Sequence, residues 1–222
     1  PELDLENTLG FETGLKYQNK KGVIRIGSYQ NYSPNYHIST KTGICNEEFI
    51  IGENHPCAGA DFIEWGSGSS GWLYKYQMEG YRVSISGLES EIKYNLTNWI
   101  NFSSSISLIR GHNLSDDIPL AYMPPDKFLF STELDLSPVS MFLTLKKVST
   151  QDRLGEFETM TDGYFLADIS GAYTLHSSNF THKIIFNVDN IFNEVYYNHL
   201  SRIKTIMPEK GRSLNMQYRI IF

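Results

Sequence analysis

The sequence predicts an all-β fold of antiparallel, membrane-spanning strands, and three observations carry that prediction. Segments of about ten residues alternate between apolar and polar side chains, as strands do when one face is wet and the other is not. Aromatics make up 14% of the 222 residues, with 14 Tyr and 13 Phe, a load that suits strands and interfacial girdles better than helices. The connections also alternate between tight turns and long polar loops, the pattern of an outer-membrane barrel with short turns on one side and long loops on the other. A mean hydropathy of -0.31 does not oppose this reading, because a barrel carries its apolar residues at every second position. No apolar run approaches the roughly 20 residues that a spanning helix needs.

The elements follow in order. In 8–18, Leu9, Phe11, Thr13, Leu15 and Tyr17 share a face opposite Gly10, Glu12, Gly14 and Lys16. A turn at 19–22 leads into a strand over 23–32. Residues 33–71 read as a long, irregular segment rich in Gly, Asn and Ser, and loops of that length are commonly functional. Residues 72–95 are extended. Their lower half sets Leu88, Ser90, Ile92 and Tyr94 against Glu89, Glu91 and Lys93, and the alternation slips near Ser86-Gly87, marking a bulge or a change of environment. After a turn at 97–98, Ile100, Phe102, Ile106 and Leu108 line one face of a strand ending near Arg110. A proline-containing loop, a strand over 127–136, a Ser137-Pro138 turn, a strand over 140–150, a loop over 152–162 and a strand over 163–175 follow. The closing hairpin sets Ile184, Phe186 and Val188 on one face of its first strand. Leu214, Met216, Tyr218, Ile220 and Phe222 share a face of its second, opposite Ser213, Asn215, Gln217 and Arg219. The total is about nine strands. An odd number cannot close with every neighbour antiparallel, so the barrel is expected to take further strands from a longer protein.

Composition narrows the function classes. The formal net charge is -6 with no basic run, which argues against nucleic-acid binding. Cys45 and Cys57 lie in one polar loop, where a local disulfide in an oxidising compartment is the simplest reading. A metal site using His55, between Glu53 and Cys57, lacks the paired spacing of zinc motifs. No nucleophile elbow, phosphate loop or paired-Cys motif occurs, so no catalytic residues, resident metal or cofactor are expected.

At the C-terminal half the residues become specific. Val188-Asp189-Asn190-Ile191-Phe192-Asn193 with Tyr196-Tyr197, then His199-Leu200-Ser201-Arg202-Ile203-Lys204, then Gly211-Arg212 and Phe222, resemble the closing hairpin of TonB-dependent outer-membrane receptors. Glu158-Thr159-Met160-Thr161-Asp162-Gly163-Tyr164 looks like that family's loop-to-strand entry. Ile85-Ser86-Gly87-Leu88-Glu89 is similar to its G-x-E strand, and Pro119 with Met123-Pro124-Pro125 to its proline loop. The order of these motifs along nearly the whole chain carries the resemblance, with a branch resembling zinc, haem and siderophore receptors.

The resemblance implies that residues 1–222 are the C-terminal portion of a barrel of about 22 strands. The family's plug domain and TonB-binding segment are not visible in the chain. The implied function is TonB-dependent uptake of a scarce nutrient across the bacterial outer membrane, most often an iron chelate or other metal species. The alternatives are a smaller self-contained barrel acting as an adhesin or structural protein, and an outer-membrane hydrolase. The implied partners are the TonB complex through another part of the protein, outer-membrane lipid and lipopolysaccharide, the small-molecule or metal-chelate ligand, and the assembly machinery at the last strand. Tyr218, Ile220 and Phe222 match the assembly signal. Glu89, Glu91, Glu133 and Asp135 are expected to face the lumen and plug, and His55, Tyr74, Tyr76, Tyr122 and Arg202 are candidate ligand contacts. Lys146 and Lys147 are expected to reach lipid headgroups.

Overall fold

A computed structural model describes residues 3–41, 62–64, 72–74, 76–156 and 158–222. Every regular element among them is a strand. They are β1 (Leu9–Gln18), β2 (Gly22–Lys41), β3 (Phe62–Glu64), β4 (Trp72–Tyr74), β5 (Tyr76–Asn95) and β6 (Ile100–Asn113). The chain continues with β7 (Ile118–Pro119), β8 (Lys127–Leu136), β9 (Val139–Val148), β10 (Tyr164–His176), β11 (Thr181–Asp189) and β12 (Ser213–Ile221). One ten-stranded sheet runs in the order β1-β2-β5-β6-β8-β9-β10-β11-β12, with β7 beside β6, while β3 and β4 pair separately. The nine strands of this path are the nine expected from the alternation, and the pairings from β6 to β12 are antiparallel.

The chain divides into two compact units. In the first, residues 1–9 and 32–83, the second half of β2 holds the N-terminal segment through its polar side chains. Ser33 Oγ donates to the Asn7 carbonyl at 2.7 Å, Asn35 Nδ2 donates to the Asp4 carbonyl at 2.8 Å, and His37 Nε2 lies 2.9 Å from the same oxygen. Val83 is buried in this unit.

The second unit, residues 10–31 and 84–222, holds most of the sheet. Its short turns are built by local side chains, as the sequence leads one to expect. Asn19 Oδ1 accepts from the Lys21 and Gly22 amides at 2.8 and 2.9 Å, and Thr97 Oγ1 accepts from the Trp99 and Ile100 amides at 3.2 and 3.0 Å. The Ser177 amide closes the last of these turns onto the Phe180 carbonyl at 2.8 Å.

Register carries each face from strand to strand. On the apolar face Phe186 stands opposite Met216, Ile184 opposite Tyr218 and Leu134 opposite Met141. Phe102 and Phe130 bring their ring centroids to 5.9 Å there. Most of these side chains are exposed, Met216 at 77% and Phe186 at 47%, while Phe102 and Leu134 are half-buried. On the other face Asn101 stands opposite Glu133, Ser131 opposite Thr144, and Asn187 opposite Asn215. The sheet is therefore inverted relative to a water-soluble one: its apolar face is open, and its polar face carries side-chain hydrogen bonds such as Asn101 to Glu133 and Ser131 to Thr144.

Two expectations need correction and one is narrowed. First, β2 does not stop near residue 32; it is extended to Lys41, and β3 lies within the stretch read as an irregular loop, while β4 falls in the stretch read as extended. A strand of 20 residues is about twice what a membrane crossing uses, and its second half needs no apolar face. Likewise β6 continues past Arg110 to Asn113 and is flanked by β7. Second, of the bulge or change of environment expected at Ser86-Gly87, a change of environment is present, within a strand that runs from Tyr76 to Asn95. Gly87 lies beneath the Tyr29 ring, where an added Cβ would come within 2.3 Å of ring carbons, and Ile85 shares the adjoining recess with Tyr29. Third, Lys146 and Lys147 do not point the same way. Lys147 is opposite Phe128 and Phe165 on the apolar face, whereas Lys146 is opposite Leu129 and Leu166 and lies over the Tyr164 ring at 5.7 Å.

Candidate functional site

Two sites arise on the second unit: a charged recess on the polar face, and a knot of loops at the end of the sheet away from the short turns. The recess, about 640 Å³, is lined by Lys16, Arg25, Glu89, Glu91, Ser105 and Ser107 among others. Alternation brings these side chains together, because each follows its strand neighbours at every second position. Glu91 pairs with Arg25 and with Lys93, the latter at 2.6 Å. Glu89 is exposed in the recess. Glu133 accepts from Asn101 Nδ2 at 3.2 Å on the same polar face of β6 and β8, and Asp135 is exposed two residues further on.

The loop knot starts from β10 and β11. Asn190 ends β11 in a left-handed conformation (φ 51°), which Asn tolerates better than most residues. Its amide donates to Asp168 Oδ1 at 2.7 Å. Its side chain exchanges two hydrogen bonds with the Glu194 backbone, each 2.9 Å. Asn193, also left-handed at φ 54°, accepts from the Arg212 amide at 2.9 Å. The two asparagines thus fix where the chain leaves β11 and where it re-enters β12. Tyr196 packs against Val148, Tyr164 and Leu166, and its ring lies 4.5 Å from that of Tyr164. Burial and the nearby Glu209 and Asp168 carboxylates push the Tyr196 hydroxyl above its ordinary value.

The centre of the knot is a buried polar cluster. The side chains of His199 and Glu158 are 1% and 4% exposed, with His199 Nε2 3.1 Å from Glu158 Oε1. Glu158 also accepts from the Tyr122 amide at 2.8 Å and the Gly155 amide at 2.9 Å. Lys204 Nζ donates to the Thr159 carbonyl at 2.7 Å and to Thr161 Oγ1 at 3.0 Å, and lies 3.0 Å from His199 Nδ1. Thr161 Oγ1 is 2.9 Å from the same nitrogen. A lysine ammonium is only a donor, so His199 Nδ1 is its acceptor and the ring proton sits on Nε2, facing Glu158. Burial and the Lys204 charge hold the His199 pKa below its ordinary value, and burial also lowers that of Lys204. The cluster joins three connections, 114–126, 149–163 and 190–212. Beside it, Arg110 grips Asp126 through two contacts of 2.5 and 2.8 Å. Gly155 packs directly on Ala121, where a Cβ would fall 2.3 Å from the Ala121 amide nitrogen.

Of the candidate ligand contacts, Tyr122 and Arg202 stand on connections that this cluster joins. The Tyr122 amide binds Glu158, its φ is 60° and its ring is 66% exposed. Arg202 is exposed between His199 and Lys204. Tyr76, at the start of β5, is in the first unit and half-exposed. Tyr74 lies in β4, whose side chains are outside the described residues, as are His55, Cys45 and Cys57. Tyr218, Ile220 and Phe222 lie on the open apolar face, with the Tyr218 hydroxyl 2.8 Å from His182 Nδ1. Among the described residues no group of three metal-binding side chains is found.

Sequence reasoning selected the segments containing Glu158, Thr161, His199 and Lys204 as motifs but did not pair them. They are about 40 residues apart, and each alone reads as a solvated loop residue.

No family model and no curated protein matches the chain. Solved structures do. The copper transporter OprC superposes with a TM-score of 0.71 at 21% identity, over 96% of this chain and 31% of that one. The ferric citrate transporter FecA gives 0.67 at 15% identity, over 96% and 31%. The ferric enterobactin receptor PfeA from Pseudomonas aeruginosa, in complex with enterobactin, gives 0.66 at 18% identity, also over 96% and 31%. The chain thus spans less than a third of the length of each of these proteins, all of which are transporters or receptors. The chain shares the fold of part of each of these proteins.

Proposed function

We propose that this chain is the C-terminal portion of an outer-membrane receptor that takes up a scarce nutrient in a TonB-dependent manner, with an iron chelate or another metal species as cargo. The observation that carries the reading is the inverted sheet. One face is exposed and apolar, the other is charged, and knotted loops cap one end, in a fold shared with OprC, FecA and PfeA. The apolar face suits the hydrocarbon of the outer membrane, with Lys147 placed to meet lipid or lipopolysaccharide headgroups. The recess of Lys16, Arg25, Glu89 and Glu91 suits contact with a plug supplied by another part of the protein, which would also carry the TonB-binding segment. Glu133 and Asp135 extend that charged wall. Tyr122 and Arg202 offer an aromatic and a basic group to an anionic chelate, and Tyr74, Tyr76 and His55 remain candidates beside them.

Growth tests the reading. A deletion of the full gene should slow growth under iron or copper limitation, and the intact gene should restore it only in a strain with a working TonB. Growth equal to the parent under every metal limitation would remove metal as the cargo.

We also place the assembly signal at Tyr218, Ile220 and Phe222, because Tyr218 and Ile220 share the open face of β12 and the exposed Phe222 follows its last residue. Phe222→Ser in the full-length receptor should lower its level in the outer membrane while synthesis is unchanged. Equal levels would refute that role.

A further inference from the structure

We propose that Glu158, His199, Lys204 and Thr161 form a proton-releasable clasp over the loop end of the sheet, closed while His199 is neutral and opened when its ring gains a proton. The clasp depends on one donor–acceptor arrangement. Neutral His199 donates from Nε2 to Glu158 and receives Lys204 at Nδ1, with distances of 3.1 and 3.0 Å. A proton taken from water onto Nδ1 removes the only lone pair that Lys204 can use on this ring. It also sets an imidazolium against an ammonium at that same 3.0 Å. Thr161 can accept the new Nδ1–H, but its hydroxyl is already the acceptor of a second Lys204 bond. The charged groups acting on His199 are Lys204, from its own loop, and Glu158, from the facing segment. Glu158 already accepts from the Tyr122 and Gly155 amides, so it is shared among three donors.

Two further observations favour opening on protonation. The His199 side chain is 1% exposed, and a buried imidazolium must give up its hydration. Gln151, whose backbone pairs with Thr161, has its Oε1 buried with no partner among the described residues, so opening lets water reach an acceptor left unsatisfied in the closed form. Burial and Lys204 both disfavour the charged ring in the closed form. The open form therefore binds the proton more tightly. The clasp is intact above the ordinary histidine range and weakens as pH falls from about 6.5 downward through the lowered value. What it releases is the 198–207 loop, with Arg202 and the exposed Ile203, Ile206 and Met207, together with the Glu158 hold on the Tyr122 backbone. The inference does not depend on which nutrient is carried.

The experiment is amide exchange on the full-length protein in bilayers, corrected for the intrinsic pH dependence of exchange, between about pH 7.5 and about pH 5. Protection over 151–162 and 198–207 should fall several-fold across this range, while β11 and β12 hold theirs. His199→Gln should make the loops insensitive to pH, whatever their level of protection. Lys204→Met removes the opposing cation and leaves burial and the Glu158 contact, so acid should then lower protection clearly less than in the wild type. Unchanged protection in the wild type overturns the proposal. So does a Lys204→Met protein that loses protection in acid as the wild type does.

Discussion

Glu158→Ala is expected to free the loops at one end of the sheet without unfolding the sheet itself. The substitution takes the acceptor from the Tyr122 amide, the Gly155 amide and His199 Nε2 at once. A buried donor left without a partner costs roughly 1–3 kcal/mol, and three donors sharing one carboxylate are not additive, so a local loss of about 3–5 kcal/mol is expected. The effect should be confined to the connections because the strands are held by their own ladders and by the pinned exit at Asn190. Glu158→Gln should cost less, since its amide oxygen still accepts one backbone bond while its NH2 opposes the other donor. Limited proteolysis of the membrane-inserted protein should show cutting within 151–162 or 198–207 in the alanine variant and little in the wild type. Identical cleavage would mean that Glu158 does not hold the loops.

Arginine at Met216 is expected to have an effect of the same size for a different reason. Met216 is 77% exposed, near the middle of β12, opposite Phe186 on the apolar face. An arginine on the lipid side of a barrel costs about 2–4 kcal/mol at the bilayer midplane. Asn215, one residue away, faces the other way, opposite Asn187, and Asn215→Arg should cost little. Folding the full-length protein into lipid vesicles should give a reduced inserted fraction for Met216→Arg and a near wild-type fraction for Asn215→Arg. Equal losses in the two variants would place lipid on neither face.

The nine strands of the main path were legible, apart from the far ends of β2 and β6, because two short-range signals coincide along it. Period-two alternation fixes which side chains share a face, and Asn19, Thr97 and Ser137-Pro138 mark turns by chemistry that acts within three residues. The second half of β2 was not legible: Ser33, Asn35 and His37 are extended yet hydrogen-bond to residues 4–7, so they keep the backbone of a strand with the composition of a loop. Lys146 misled for a related reason. A lysine in an alternating strand reads as a headgroup contact, and only the pairing with Leu129 and Leu166 reveals that it lies over Tyr164. The His199 cluster was half legible. Its two segments stood out as motifs, but a contact between residues 158 and 199 leaves no periodic trace in the sequence, and burial of polar loop residues is visible only once the loops are folded against one another.

The most direct test of the membrane assignment is quenching of a fluorophore placed singly along β12, from residue 214 to residue 221, in the full-length protein in bilayers. Brominated acyl chains should quench positions 214, 216, 218 and 220 strongly and positions 215, 217, 219 and 221 weakly, following the two faces set by pairing with β11. Quenching that fails to alternate, or that is stronger at Asn215 and Gln217 than at Met216 and Tyr218, would contradict a barrel wall whose open apolar face meets lipid.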